Sequence, residues 1–282
     1  VCDLSMSLQL SKEVLDAQWR DASDNAKAWL SRQLMVCDDV DALAIALAMA
    51  RRKVGTAAVR EAEAYPWLKQ WTLADVARVK LLLAAQDAEN IDAQELVVTA
   101  YKQGDGYEKE AILKGLGLLD PNGTLVELGV DACRTNVLTM LSAIALENPY
   151  ATAFFPEHPF NQMVLKCLFL GFDISRVWQL DTRTNPYMSR MCYDYLRERV
   201  AAGRDFPASI WLAIRLHDLP GAEETFVQYM GHHDEQQRFY IARSITRDAP
   251  AGAAVLQSLK ARLEDETSER ICQLLRAATS EH

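Results

Sequence analysis

Turn-forming residues are scarce in this chain: 12 glycines and 9 prolines among 282 residues. That shortage argues against a β-sandwich or barrel, whose many short strands need turn signals every ~8–12 residues. Strand patterning is equally thin. Only QELVVTA at 94–100 resembles a strand, and its neighbours favour helix. The six cysteines, Cys2, Cys37, Cys133, Cys167, Cys192 and Cys272, include no CxxC pair. Several lie in apolar helical runs, where a thiol behaves as a small hydrophobe. A reducing cytoplasm fits this usage better than a disulfide framework. Long apolar runs are missing too. The longest, ALAIALAMA at 42–50, has about half of the ~20 residues a membrane span needs. Asp38, Asp39 and Asp41 precede it and Arg51, Arg52 and Lys53 follow, charges that suit a buried helix and its dipole. An integral membrane protein is therefore not expected. The opening VCDLSMSLQLSKEVL has no basic region followed by an apolar core, so no secretory signal is expected either. Positive charge is in deficit, with 30 Lys and Arg against 39 Asp and Glu and a net charge of −9. That balance opposes binding to nucleic acid or anionic lipid.

The familiar signatures of catalysis are absent as well. There is no GxSxG, Walker A loop, HExxH or GxGxxG. Gly115-Leu116-Gly117 follows no strand and reads as small residues where helices cross closely. His232 and His233 follow Gly231 at a helix boundary, as in a surface turn, and His217-Asp218 fits a helix C-terminus. No metal and no cofactor is expected. The acidic clusters begin or end helices, and none pairs carboxylates for acid/base work.

What is present is helical periodicity. Helices are expected at 10–20, 23–36, 39–53, 72–86, 92–103 and 107–120, with a short one over 57–69 interrupted at Pro66. One long helix, or two abutting near Gly129, is expected over 124–147. Shorter ones follow at 173–179, 186–200, 207–217, 220–230, 234–246, 251–264 and 268–279. The prolines fall at joints or in first turns. The expectation is a single all-α domain over 1–282, built of stacked antiparallel helix pairs as a HEAT-like α-solenoid, with a compact irregular bundle as the rival.

The least ordinary stretch runs from 131 to 172, DACRTNVLTMLSAIALENPYATAFFPEHPFNQMVLKCLFLGF. Two apolar segments flank a connection that carries three prolines and a group of polar residues. Asn136, Met140, Ala143 and Glu147 fall on one helical face. Pro149 should stop the first helix near Glu147, with His158 capping the second and Gly171 closing it. The ligand- or partner-binding candidates are Arg134, Asn136, Glu147, Asn148, His158, Asn161, Gln162 and Lys166. No residue is singled out as catalytic. One reading has Asn148 and His158 capping helices, Glu147 paired with Lys166, and Tyr150, Phe154 and Phe155 plugging the turn. The other is a polar pocket at the mouth of a helix hairpin, where the N–H groups of the second helix receive a carboxylate or phosphate.

The run RTNVLTMLSAIALENPYATAFFPEHPFNQMVLKCLF, with the preceding YEKEAILKGLGLL, resembles EboA-domain proteins of bacterial gene clusters, most clearly over 107–205. The resemblance implies a setting beside prenyltransferase-like and sugar-phosphate-enzyme-like proteins. It also implies a link to moving a secondary-metabolite precursor out of the cytoplasm. It carries over no catalytic residues. Cys167 stands where a smaller residue such as Ala is expected, which leaves the fold expectation unchanged. The functional expectation is a non-catalytic cytoplasmic helical-repeat protein that binds a pathway protein or a small-molecule metabolite. The alternative is an enzyme of unrecognised class using Glu147 or His158 beside Lys166.

Overall fold

The computed structural model describes residues 12–20, 22–60, 64–88, 91–247 and 253–280. Cys2 and His282 lie outside them. Among the described residues the only bridge is an isolated antiparallel one between Ala58 and Thr72, and the rest of the regular structure is helical. The all-α expectation holds, and stacked pairs and an irregular bundle fit it equally. No described helix is long and apolar enough to cross a membrane. The five described cysteines are free thiols. The chain divides into two compact units, Val1–Phe160 and Asn161–His282.

The first unit contains α1 (Lys12–Trp19), α2 (Asp24–Leu34), α3 (Val40–Val54), a 3-10 turn at Pro66–Leu68, α4 (Leu73–Gln86), α5 (Ala93–Gln103), α6 (Gly106–Leu119), α7 (Val126–Arg134), α8 (Leu138–Ala145) and α9 (Pro149–Phe154). Local chemistry sets most starts. Ser23, Asp39 and Asp92 accept hydrogen bonds from the first-turn N–H groups of α2, α3 and α5. Thr72 with Asp75, and Asp105 with Glu108, close reciprocal capping boxes on α4 and α6.

Helix α4 is the hub. It is buried on almost every side and packs against α1, α2, α3, α5 and α6. Its polar side chains are therefore partnered: Asp75 accepts Lys114 Nζ at 2.9 Å, and Arg78 Nε donates to Leu47 O at 3.0 Å. Where α4 meets α6, a Cβ on Gly115 would stand 2.5 Å from Val79 Cγ2. The Gly-Leu-Gly fragment is a close helix crossing.

Two expectations need correction. Over 57–69 there is no α-helix among the described residues. Val59 N–H donates to Trp71 O and Leu73 N–H to Ala57 O, which holds that part of the chain extended, and a 3-10 turn follows at Pro66–Leu68. The 124–147 segment does break, but at 135–137 and not at Gly129. Gly129 lies inside α7, where a Cβ would meet the Phe155 ring at 2.9 Å. The break is stabilised by the Thr135 hydroxyl accepting Val137 N–H.

The second unit holds most of α10 (Glu157–Phe169), which the division crosses, then a 3-10 turn at Ile174–Arg176, α11 (Leu180–Arg183) and α12 (Pro186–Ala201). It continues with 3-10 turns at Ala208–Ala213 and Leu216–Asp218, α13 (Glu223–Met230), α14 (Glu235–Arg247), α15 (Ala253–Asp265) and α16 (Glu269–Ser280). The helices expected at 173–179 and 207–217 are 3-10 turns. The turn at Ala208–Ala213 is this unit's centre. It is buried from Ser209 to Ala213 and packs on α11, α12 and α14. Trp211 Nε1 donates to Gln237 Oε1 at 2.7 Å. A buried ion pair ties α14 to the end of α15: Arg238 donates to both Glu266 oxygens at 2.8 and 3.1 Å, and Arg262 adds a third bond.

Gly115→Val should lower stability by about 1–3 kcal/mol through overpacking, read by urea unfolding. Gly106→Ala, which meets nothing within 4 Å, should change it far less. Glu266 gives a pH prediction. Burial would raise its pKa, but the Arg238 bonds, the Ser268 N–H and Arg262 outweigh that and hold it at about 2, below the ordinary 4.5. A depressed folded-state value contributes stability above pH 4.5 that is lost as pH falls towards 2. Thermal melts over that window should show Glu266→Gln with a flatter acid limb than wild type.

Candidate functional site

The 131–172 stretch folds around a corner between α8 and α9. Helix α8 ends at Ala145, two residues before the expected stop, and its face does not include Asn136 or Glu147, which lie outside it. Glu147 adopts φ +52°, a left-handed conformation that costs a non-glycine residue about 1–2 kcal/mol. Asn148 then returns to extended geometry and Pro149 opens α9 as its first residue. The connection between the two apolar segments thus contains a short helix.

Part-buried and buried hydrogen bonds hold that strained corner. The two N–H groups of the Gln70 side-chain amide are shared among Ser142 O at 3.1 Å, Leu146 O at 2.8 Å and Glu147 Oε2 at 2.9 Å. The Ser142 hydroxyl donates back to Gln70 Oε1. Asn148 accepts Tyr150 N–H and donates to Leu113 O and Ala143 O, both at 2.8 Å. Its expected capping role is therefore observed, on α9. Beyond it the Tyr150 hydroxyl donates to Asp120. Asp120 also accepts the Thr124 and Leu125 N–H groups and the Thr124 hydroxyl. Burial, followed by the bond to Asp120, raises the Tyr150 pKa far above the ordinary tyrosine range, so the phenol stays a donor.

The remaining candidates divide by burial. Asn161, in the second unit, is fully buried and forms a reciprocal amide pair with Asn185, at 3.2 and 3.1 Å. Asn185 meanwhile caps α12 by accepting Met188 N–H. Gln162 is exposed and lies 3.6 Å from Met191 Sδ. Lys166 is half-buried. In the first unit Arg134 pairs with Asp131 on the surface, and Asn136 is exposed. His158 is exposed in the first turn of α10, which begins at Glu157, one residue before the expected cap. Gly171 closes α10 as expected, at φ +79°.

Glu147, Asn148 and Asn161 thus have polar atoms engaged inside the fold, and Arg134, Asn136, His158 and Gln162 face solvent. The partners that sequence reasoning missed are Gln70, Ser142 and Asp120. Gln70 lies 77 positions from Glu147, and no local pattern points to it. Among the described residues no three His, Cys, Asp or Glu side chains are grouped to hold a metal ion.

Residues 20–215 match the family model described as metabolite traffic protein EboA, and the chain belongs to that family. No curated protein and no solved structure matches it. The match ends before α13, so α13 to α16 lie beyond it.

Removing the amide that closes the corner should destabilise the fold. Gln70→Ala leaves buried carbonyls and the Glu147 carboxylate short of a donor and should cost about 1–3 kcal/mol, measured by urea unfolding. Gln162→Ala, on the exposed face of α10, should stay within about 0.5 kcal/mol.

Proposed function

We propose that this chain is a non-catalytic helical protein of metabolite traffic. In this reading it works in the cytoplasm, where it binds a pathway metabolite or a partner protein of the same pathway without converting the metabolite. The observation that carries the reading is the commitment of its buried polar groups. Asp75, Asp120, Glu147 and Glu266 each accept hydrogen bonds from named neighbours that fix helix ends or crossings. A general acid or base needs a proton-transfer partner on the substrate, and these carboxylates serve the scaffold. The family description supports the traffic half of the reading.

The surface residues of the distinctive stretch supply contacts to a partner. Arg134, Asn136 and His158 on the first unit, and Gln162 and Lys166 on the second, are polar groups at or near solvent. Val137 and Leu138, both about half exposed, add apolar contact beside Asn136. Surfaces that mix apolar area with an arginine suit protein recognition.

The test is native mass spectrometry of the purified full chain after exposure to a metabolite extract of producing cells. The expected result is a bound mass that matches a compound already present in the extract and is released unchanged. Conversion of that compound to a new mass, abolished in His158→Ala, overturns the reading and supports catalysis instead.

A further inference from the structure

The second unit contains a cavity of about 520 Å³ between the residues that follow α12 and the turn joining α13 to α14. That size is in the range of small-molecule sites, roughly 300–1,000 Å³. One wall is aromatic. The rings of Phe206 and Tyr229 stand 5.5 Å apart at 61°, and both rest on buried Trp211, at 6.1 and 5.4 Å. From Tyr229 a stack continues outward. His232 lies 5.5 Å away at 18°, and His233 follows 4.2 Å from His232.

The backbone on both sides of this cavity is clamped. Arg199 donates twice to Asp205 O. Arg238, anchored by Glu266, donates to His232 O at 2.8 Å and His233 O at 3.1 Å. Gln237, also at the cavity, is held by Trp211 and Phe206 O. The side chains facing the space are a different population. The Arg204 guanidinium, the Asp205 carboxylate, the His233 imidazole and the Tyr229 hydroxyl have no hydrogen-bond or ion-pair partner among the described residues. His232 Nδ1 accepts Asp234 N–H at 3.1 Å. In the neutral imidazole the proton is therefore on Nε2, which is left as a donor. The backbone around the cavity is thus fixed, while Arg204, Asp205 and His233, all exposed, keep their side-chain groups available to a ligand.

The chemistry of those groups selects the ligand. Aromatic faces favour a flat ring. A guanidinium fork matches a carboxylate in bidentate geometry. The Asp205 carboxylate calls for one donor, which a ring hydroxyl supplies. We propose that this cavity binds a small hydroxylated aromatic acid, with its carboxylate on Arg204 and its ring against Phe206, Tyr229 and the histidine stack. The proposal rests on the metabolite-binding reading above and locates the ligand in this unit.

The experiment titrates 4-hydroxybenzoate into the full chain and follows the imidazole C2–H resonances by proton NMR, assigned with His232→Gln and His233→Gln. Expected are saturable shifts of both resonances with millimolar or tighter affinity. Arg204→Gln should weaken binding about tenfold, the loss of one charge-assisted contact, with unchanged circular dichroism. Phenol, which lacks the carboxylate, should bind at least as weakly to wild type as the acid does to the variant. Absence of saturable shifts overturns the proposal, as does equal affinity for phenol and the acid or an unaffected Arg204→Gln. If the mass-spectrometric test nevertheless finds an unchanged compound bound, and Arg204→Gln retains it fully, the cavity assignment fails and the metabolite-binding role stands. If the compound is converted, the role itself fails.

Discussion

The side-chain amide of Gln70 closes the last turn of α8, and the corner of the first unit depends on it. The final carbonyls of any helix lack intrahelical donors and need water, a glycine cap or a side chain. Here Leu146 and Glu147 are buried, so the donor must come from the protein itself. Gln70 supplies it, and the Ser142 hydroxyl fixes the orientation of the amide. With α8 terminated in this way, Glu147 can take a left-handed conformation and Asn148 can reach both Leu113 O on α6 and Ala143 O on α8. The strain at one residue is offset by bonds that tie three helices together. A buried corner satisfied from several directions has one arrangement, which is how a non-glycine residue persists at positive φ.

The parts legible in the sequence were those written within four residues of one another. Ser23, Asp39, Asp92 and Asn185 announce their helices because a side-chain oxygen reaches N–H groups in the next turn. Gly171 announces an end for the same local reason. Gly129 shows the limit. Its lack of a side chain looks like a helix break, yet it makes room for Phe155, which is 26 positions away in the chain and adjacent in space. The real break at 135–137 carries only a threonine turn as its signal. Residues 57–60 went wrong in the same way, because their conformation is set by backbone pairing with 71–73.

The polar residues of 131–172 were conspicuous because they interrupt apolar runs, and that signal does not separate scaffold from site. Glu147, Asn148 and Asn161 find partners 77, 35 and 24 positions away. None of those distances has a periodic trace. Burying an amide or carboxylate requires such partners. A sequence can therefore show that a buried polar group will be bonded without showing to what.

The more useful distinction is between polar groups the fold consumes and those it leaves over. Arginine makes the comparison clean, because each guanidinium carries five donors and no acceptor. Arg78, Arg199 and Arg238 give theirs to backbone carbonyls and, for Arg238, to Glu266, and each fixes a turn or a helix contact. Arg204 gives its side-chain donors to nothing among the described residues, though it lies five positions from Arg199 and lines the same cavity that Arg199 and Arg238 brace. An exposed arginine on an open face satisfies its donors with water at no loss. Arg204 is exposed too, but it stands beside an aromatic wall, so a ligand that replaces its water gains both stacking and a charge-assisted bond. The same criterion applied to the α8–α9 corner finds its carboxylate and amides already bonded. What remains at the surface near that corner is Arg134, Asn136 and His158, which are exposed and take no part in closing it.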